Sequence, residues 1–129
     1  MNIIASTVSL TVDDVAASSL FLTSHLGFRE VMAAEGFVSL TRDDAAPDIV
    51  LLRRSTEVLP EGLHDQRLAD LIVAFTVTGI NAEEERLRGE GANITMPLRT
   101  EPWGERLLQL TDPNGVVVQL VEWIAPAGA

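Results

Sequence analysis

One short strand pattern occurs twice in this chain, and that repetition narrows the fold more than any other feature. In residues 6–12, Val8, Leu10 and Val12 alternate with Thr7, Ser9 and Thr11, and Val73, Phe75 and Val77 answer them at a spacing of 65 positions. A period of two belongs to a β-strand with two chemically different faces. After the first copy, Asp13-Asp14 supplies a helix N-cap, Val15 to Leu26 carries apolar residues on helical spacing, and Gly27 stops the helix. Phe37–Thr41 and Ile49–Arg53 read as strands around the turn Asp43–Pro47, and Val31 with its neighbours adds a further strand. After the second copy come a charged helix, Asn81–Arg88, closed by Gly89 and Gly91, a strand at Arg106–Leu110, the turn Asp112-Pro113-Asn114-Gly115 and a β-rich run, Val116–Trp123. The order of elements repeats, so the chain reads as an internal duplication within one domain: one module at about 3–54, a surface connection at about 55–69 and a second module at about 70–124.

Composition then excludes several function classes. The 129 residues suffice for one continuous core, and the absence of cysteine removes disulfides, zinc–thiolate sites and a thiol nucleophile. The first residues carry no basic segment and no apolar run approaches the roughly 18 residues of a membrane span, so a cytoplasmic protein is expected. Nineteen acidic against nine basic side chains give a net charge of −10, which repels nucleic acid and anionic lipid. The same field attracts a cationic ligand, although an acidic surface also serves solubility alone.

The stretch "TVSLTVDDVAASSLFLTSHLGF", followed about ninety residues later by "PWGERLLQLTDPNGVVVQLVEW", resembles the vicinal oxygen chelate superfamily of glyoxalases, bleomycin resistance proteins and extradiol dioxygenases. The resemblance implies an α+β fold, two tandem βαβββ modules forming an incomplete barrel with a concave cavity that a second subunit often completes. In metal-dependent members a His or Gln stands in the first strand, a His in the fifth and a Glu in the last. Carried onto this chain by motif, those positions are Thr7, Ile72 and Gln119, and a fourth falls in the apolar segment Ile49–Leu52. Ile72 has no donor atom, a threonine hydroxyl is a poor ligand, and an amide is neutral; no metal or other cofactor is expected. The two histidines, His25 and His64, stand at none of these positions.

By the same parity Thr7, Ser9 and Thr11, then Ile72, Ala74 and Thr76, then Val117, Gln119, Val121 and Trp123 would face the cavity, an apolar lining with a few hydrogen-bonding groups. A cavity filled by its own side chains is the plain alternative. Trp103 is the stronger candidate for stacking on a ligand, while Trp123 either joins it or closes the core. Arg53, Arg99 and Arg106 are candidate anion contacts, with solvated strand edges the simpler reading. No nucleophile elbow, phosphate loop or dinucleotide fingerprint occurs, the acidic pairs fall at caps and turns, and Glu122 serves as a base only if the last strand slips by one residue. The expected function is a metal-independent, homodimeric small-molecule-binding protein resembling bleomycin and other antibiotic resistance proteins, which sequester a ligand. Its ligand would be planar and cationic, held by Thr7, Ser9, Ile72, Ala74, Trp103, Gln119 and Trp123 with no catalytic residue. A glyoxalase-like lyase or dioxygenase-type enzyme is the rival, and a regulatory or assembly partner a third reading.

Overall fold

In a computed structural model that describes residues 1–54 and 71–124, the chain divides into two compact units, Met1–Asp70 and Leu71–Ala129. The first contains β1 (Thr7–Val12), α1 (Val15–Leu26), β2 (Arg29–Ala34), β3 (Phe37–Thr41) and β4 (Asp48–Arg53). Its sheet runs β1-β4-β3-β2, with β1 parallel to β4 and the other pairs antiparallel. The second contains β5 (Ile72–Thr76), α2 (Ile80–Gly89), β6 (Ile94–Thr100), β7 (Glu105–Thr111) and β8 (Val117–Trp123) in the order β5-β8-β7-β6. Each unit is therefore a βαβββ module of the same topology, and the α+β class implied by the resemblance is observed.

Local chemistry explains the first helix. Asp14, in extended geometry, accepts the Ala17 N–H on Oδ1 at 3.1 Å, and Gly27 ends α1 with φ 69°. The end is clamped further by Arg42, whose guanidinium donates to the Leu26 carbonyl, stacks over Phe28 at 5.8 Å and pairs with Asp44 at 2.8 Å. That arginine holds the Asp44 carboxyl below its ordinary range, chiefly through the side-chain hydrogen bond. Phe21, Leu22 and Leu26 of α1 are buried, as are Leu10, Leu40, Ile49 and Leu51 of the sheet. Burial of each such side chain stabilises the fold by about 1.5–3 kcal/mol. Even-numbered residues of β1 thus turn to the helix, and Thr7 and Ser9 stand exposed on the opposite face.

Unit 2 reuses the plan with a different cap. Ile80 and Leu87 of α2 are completely buried, but Gly79 at its N-cap has no side chain to accept the first amides. Glu122 of β8 does so from across the unit, accepting Gly79 N–H at 2.7 Å and Ile80 N–H at 3.3 Å. Glu122 therefore lies on the helix side of its strand, and no slip of β8 turns it to the other face. Two acids of α2 and the residue that caps its end have structural partners: Glu83 and Glu90 pair with Arg86 at 2.7 and 3.0 Å, and Glu84 accepts the Leu98 N–H at 3.0 Å.

Some expectations need correction. The helix α2 extends one residue beyond Asn81–Arg88 at each end, and β7 one residue beyond Arg106–Leu110 at each end. A whole strand, β6, occupies a stretch that the pattern leaves unassigned; Pro97 lies within it and its pairing with β7 is twice shifted in register, as an edge strand tolerates. The connection at 55–69, with His64, lies outside the described residues. Among the described residues no helix is long and apolar enough to cross a membrane.

Candidate functional site

The face of each sheet turned away from its helix carries the side chains that the apolar packing does not use. In unit 1 the ladder sets Thr7 beside Asp48, Ser9 beside Val50 and Thr11 beside Leu52. Ser39 pairs with Val50 on the other flank. Asp48 accepts the Thr41 hydroxyl at 2.6 Å, so this face joins several hydroxyls to one half-buried carboxylate. Asp48 was not legible as a site residue from composition or turn chemistry. Its signal is parity, since it shares the face of Val50 and stands in register with Thr7.

In unit 2 the corresponding face has a different chemistry. Ile72 pairs with Val117, Ala74 with Gln119 and Thr76 with Val121 on one side of β8. On the other side of that strand stand Thr111, Gln109, Leu107 and Glu105, the last opposite Trp123. Gln109 Nε2 donates to Gln119 Oε1 at 2.8 Å, tying two strands by their amides. Leu107 and Val121 are buried, whereas Ile72 and Ala74 are exposed.

Both tryptophans lie at one end of this face. Trp103 is 64% exposed and sits in the turn before β7; Trp123 is 56% exposed and ends β8, so it does not close the core. The Trp103 indole N–H donates to Glu105 Oε1 at 3.2 Å, and Glu105 is the ladder partner of Trp123. Paired positions on neighbouring strands hold their Cβ atoms roughly 5 Å apart. One residue thus accepts from one indole and shares a ladder position with the other tryptophan, a relationship that depends on strand register and leaves no local mark in the sequence. The turn itself is tied down by Gly104 N–H to Glu101 O at 3.0 Å, Glu101 N–H to Glu105 O at 2.8 Å and Ile124 N–H to Gly104 O at 2.8 Å. Gly104 has φ 90°, and a Cβ there would come within 3.0 Å of the Ile124 carbonyl oxygen.

The metal-ligand positions can be tested by register. Unit 2 places the last-strand position, Gln119, opposite Ala74, two residues beyond the fifth-strand position Ile72. The same step from Thr7 leads to Ser9 and its partner Val50, within the segment expected to hold the fourth position. Two aliphatic side chains, a hydroxyl and an amide whose oxygen already accepts from Gln109 do not suit a divalent cation. Among the described residues no three His, Asp or Glu side chains gather in a group that could hold one. His25 lies edge-on to Phe21 at 5.3 Å.

The arginines considered for anions have other partners. Arg53 lies 3.7 Å from Glu35, Arg99 is 2.6 Å from Glu101, and Arg106 donates to Asn81 and Thr100 at 2.8 and 3.4 Å. The open face of unit 1 thus offers hydroxyls and a carboxylate, and that of unit 2 amides, a carboxylate and two indoles.

Comparison with known proteins supplies the family. Among solved structures, a glyoxalase/bleomycin resistance protein/dioxygenase from Nocardioides is 22% identical, with 98% of this chain and 87% of that chain covered and a TM-score of 0.77. A lactoylglutathione lyase from Agrobacterium tumefaciens is 17% identical over 94% of each chain, with a TM-score of 0.74. TioX from Micromonospora sp. ML1 is 20% identical over 93% of this chain and 98% of its own, with a TM-score of 0.68. At these identities the likeness establishes the fold alone. Comparison with curated proteins finds no significant match. The family model described as Glyoxalase/Bleomycin resistance protein/Dioxygenase superfamily matches residues 4–120, and this chain belongs to that superfamily.

Proposed function

We propose that the chain is a metal-independent small-molecule-binding protein that sequesters its ligand unchanged, as antibiotic resistance members of the superfamily do. The observation that carries this reading is the side-chain chemistry at the ligand positions: Thr7, Ile72 and Gln119 offer neither imidazole nor carboxylate, and the Gln119 oxygen is occupied by Gln109. The ligand is planar and cationic, lies against Trp103 and Trp123, and reaches Gln119, Ala74 and Ile72 along the open face of unit 2. Thr7 and Ser9 are the hydroxyls that the open face of unit 1 offers to a ligand, and the working protein is a homodimer.

A thermal-shift screen against antibiotics, thiol conjugates and divalent metals tests this, because a ligand that binds only the folded state raises the melting midpoint. Binding that persists in EDTA, with the ligand recovered intact by chromatography, is the expected result. Binding that requires a metal, or a ligand recovered as product, overturns it. One observation favours an enzyme as the second reading: Asp48, on the open face of unit 1 with Thr41 and Thr7 beside it, is placed to take a proton from a bound molecule. Turnover lost in Asp48→Asn would decide for that reading.

A further inference from the structure

Glu105 is among the carboxylates that the described arginines leave without an ion pair, and it is the one that accepts from Trp103 and stands in register with Trp123. Arg99 is held by Glu101 and Arg106 by Asn81 and Thr100, while among the described residues Glu105 makes no ion pair. Among the described residues its one side-chain hydrogen bond comes from the Trp103 indole, which leaves carboxylate lone pairs to accept from something else. Glu105 is half-buried, and a charge partly withdrawn from water gains more from a counter-charge than an exposed one does. On either side of it stand the two most exposed aromatic side chains of unit 2, whose π faces attract cations within about 6 Å. Hydrogen bonds hold the turn and the strand ends, so the backbone that carries the three groups is fixed before any ligand arrives.

We propose that Glu105 is the charge-selecting residue of the ligand site: its carboxylate, oriented by the Trp103 indole N–H and standing beside Trp123 across the β7–β8 ladder, pairs with a monovalent N-heteroaromatic or aryl-ammonium cation whose planar body lies on the indoles. This rests on the sequestration reading and gives its ligand a chemical class. The residues next along the face, Leu107 and Val121, are apolar, and the amide pair Gln109–Gln119 follows them. The amide pair lies four residues, or roughly 13 Å, from Glu105, with the buried Leu107 and Val121 between them.

The test compares two probes of the same shape, 1-methylquinolinium, a permanent cation, and 1-methylnaphthalene, its neutral isostere, by equilibrium dialysis at physiological salt. The proteins are the wild type, Glu105→Gln, Trp103→Ala and Glu85→Gln. Glutamine keeps an oxygen to accept the indole N–H, so Glu105→Gln removes the charge alone, and Glu85→Gln makes the same change in net charge on the exposed surface of α2. The wild type should prefer the cation, and Glu105→Gln should weaken the cation by roughly three- to tenfold while leaving the neutral probe unchanged. Glu85→Gln should alter neither. Equal losses in both glutamine variants would show a net-charge effect and overturn the assignment. An unchanged cation affinity in Glu105→Gln would also overturn it, and the sequestration reading would still stand if Trp103→Ala weakened both probes. A wild type that bound neither probe would overturn both the assignment and the location of the ligand. Conversion of a dimer to a monomer by Trp103→Ala, read by light scattering, would make this face a subunit contact and overturn the assignment.

Discussion

Glu122 caps a helix that begins 42 positions before it in the chain: its Oε2 accepts the Gly79 N–H at 2.7 Å and its Oε1 the Ile80 N–H at 3.3 Å. The negative end of the side chain meets the positive end of the α2 dipole, and the strand that supplies it is the one that carries Gln119 and Trp123 on its opposite face. Packing, capping and the candidate site thus share one seven-residue strand. Glu122→Ala should destabilise the protein by about 1–2 kcal/mol, the cost of losing a helix cap, and Glu122→Gln by less. Urea denaturation measures both. Binding of a small molecule at Trp103 should survive either change at temperatures where the protein stays folded.

Much of this fold was legible because apolar alternation and turn chemistry are local signals. Val8, Leu10 and Val12 marked β1, Asp14 and Gly27 marked the ends of α1, and Asp112 accepts both the Asn114 and Val116 amides at 2.8 Å in the expected turn. The open-face parity of Thr7 and Ser9 followed from the same alternation. What escaped depended on register or on an irregular edge: β6 contains Pro97 and two register shifts, and Asp48, Glu105 and Glu122 take their roles from neighbours distant in sequence. A carboxylate beside a tryptophan two positions away is unremarkable until the last strand brings a second tryptophan to the same place.

At the other end of the molecule's first helix, Gly27→Ala should be costly for two reasons. The residue adopts φ 69°, where an L side chain costs roughly 1–2 kcal/mol, and a Cβ would stand 2.7 Å from Arg42 Nη1. Displacing Arg42 also removes its bond to the Leu26 carbonyl. The expected outcome is a loss of about 2 kcal/mol or more in urea, with Arg42→Ala losing less because the left-handed glycine cap remains. Equal stability of Gly27→Ala and wild type would contradict the described cap.

Metal content follows from the donor set rather than from any ligand. Protein purified without chelators and dialysed against metal-free buffer should carry well under one equivalent of zinc, iron, manganese or nickel per chain. Elemental analysis reads this directly, and a stoichiometric ion would mean that side chains other than Thr7, Val50, Ile72 and Gln119 form a site.

The pairing of Gln109 with Gln119 makes the most discriminating prediction about the open face of unit 2. Their amides meet at 2.8 Å, and both residues are half-buried. Replacing one by leucine leaves the other with an unsatisfied polar group, whereas replacing both removes the demand altogether. Gln109→Leu and Gln119→Leu should each cost about 1–2 kcal/mol, and the double variant less than their sum, with a coupling energy of about 0.5–1.5 kcal/mol. Two-state urea unfolding of the four proteins supplies the cycle. Additive costs would mean that the amides are satisfied separately by water, and the Gln119 oxygen would then be available to another donor. If the cycle shows coupling and binding at Trp103 also weakens in Gln119→Leu, the amide pair belongs both to the fold and to the ligand face. If it shows coupling without any change in binding, the ligand stops short of Gln119, and the site is confined to the end of the sheet where Trp103, Glu105 and Trp123 stand together.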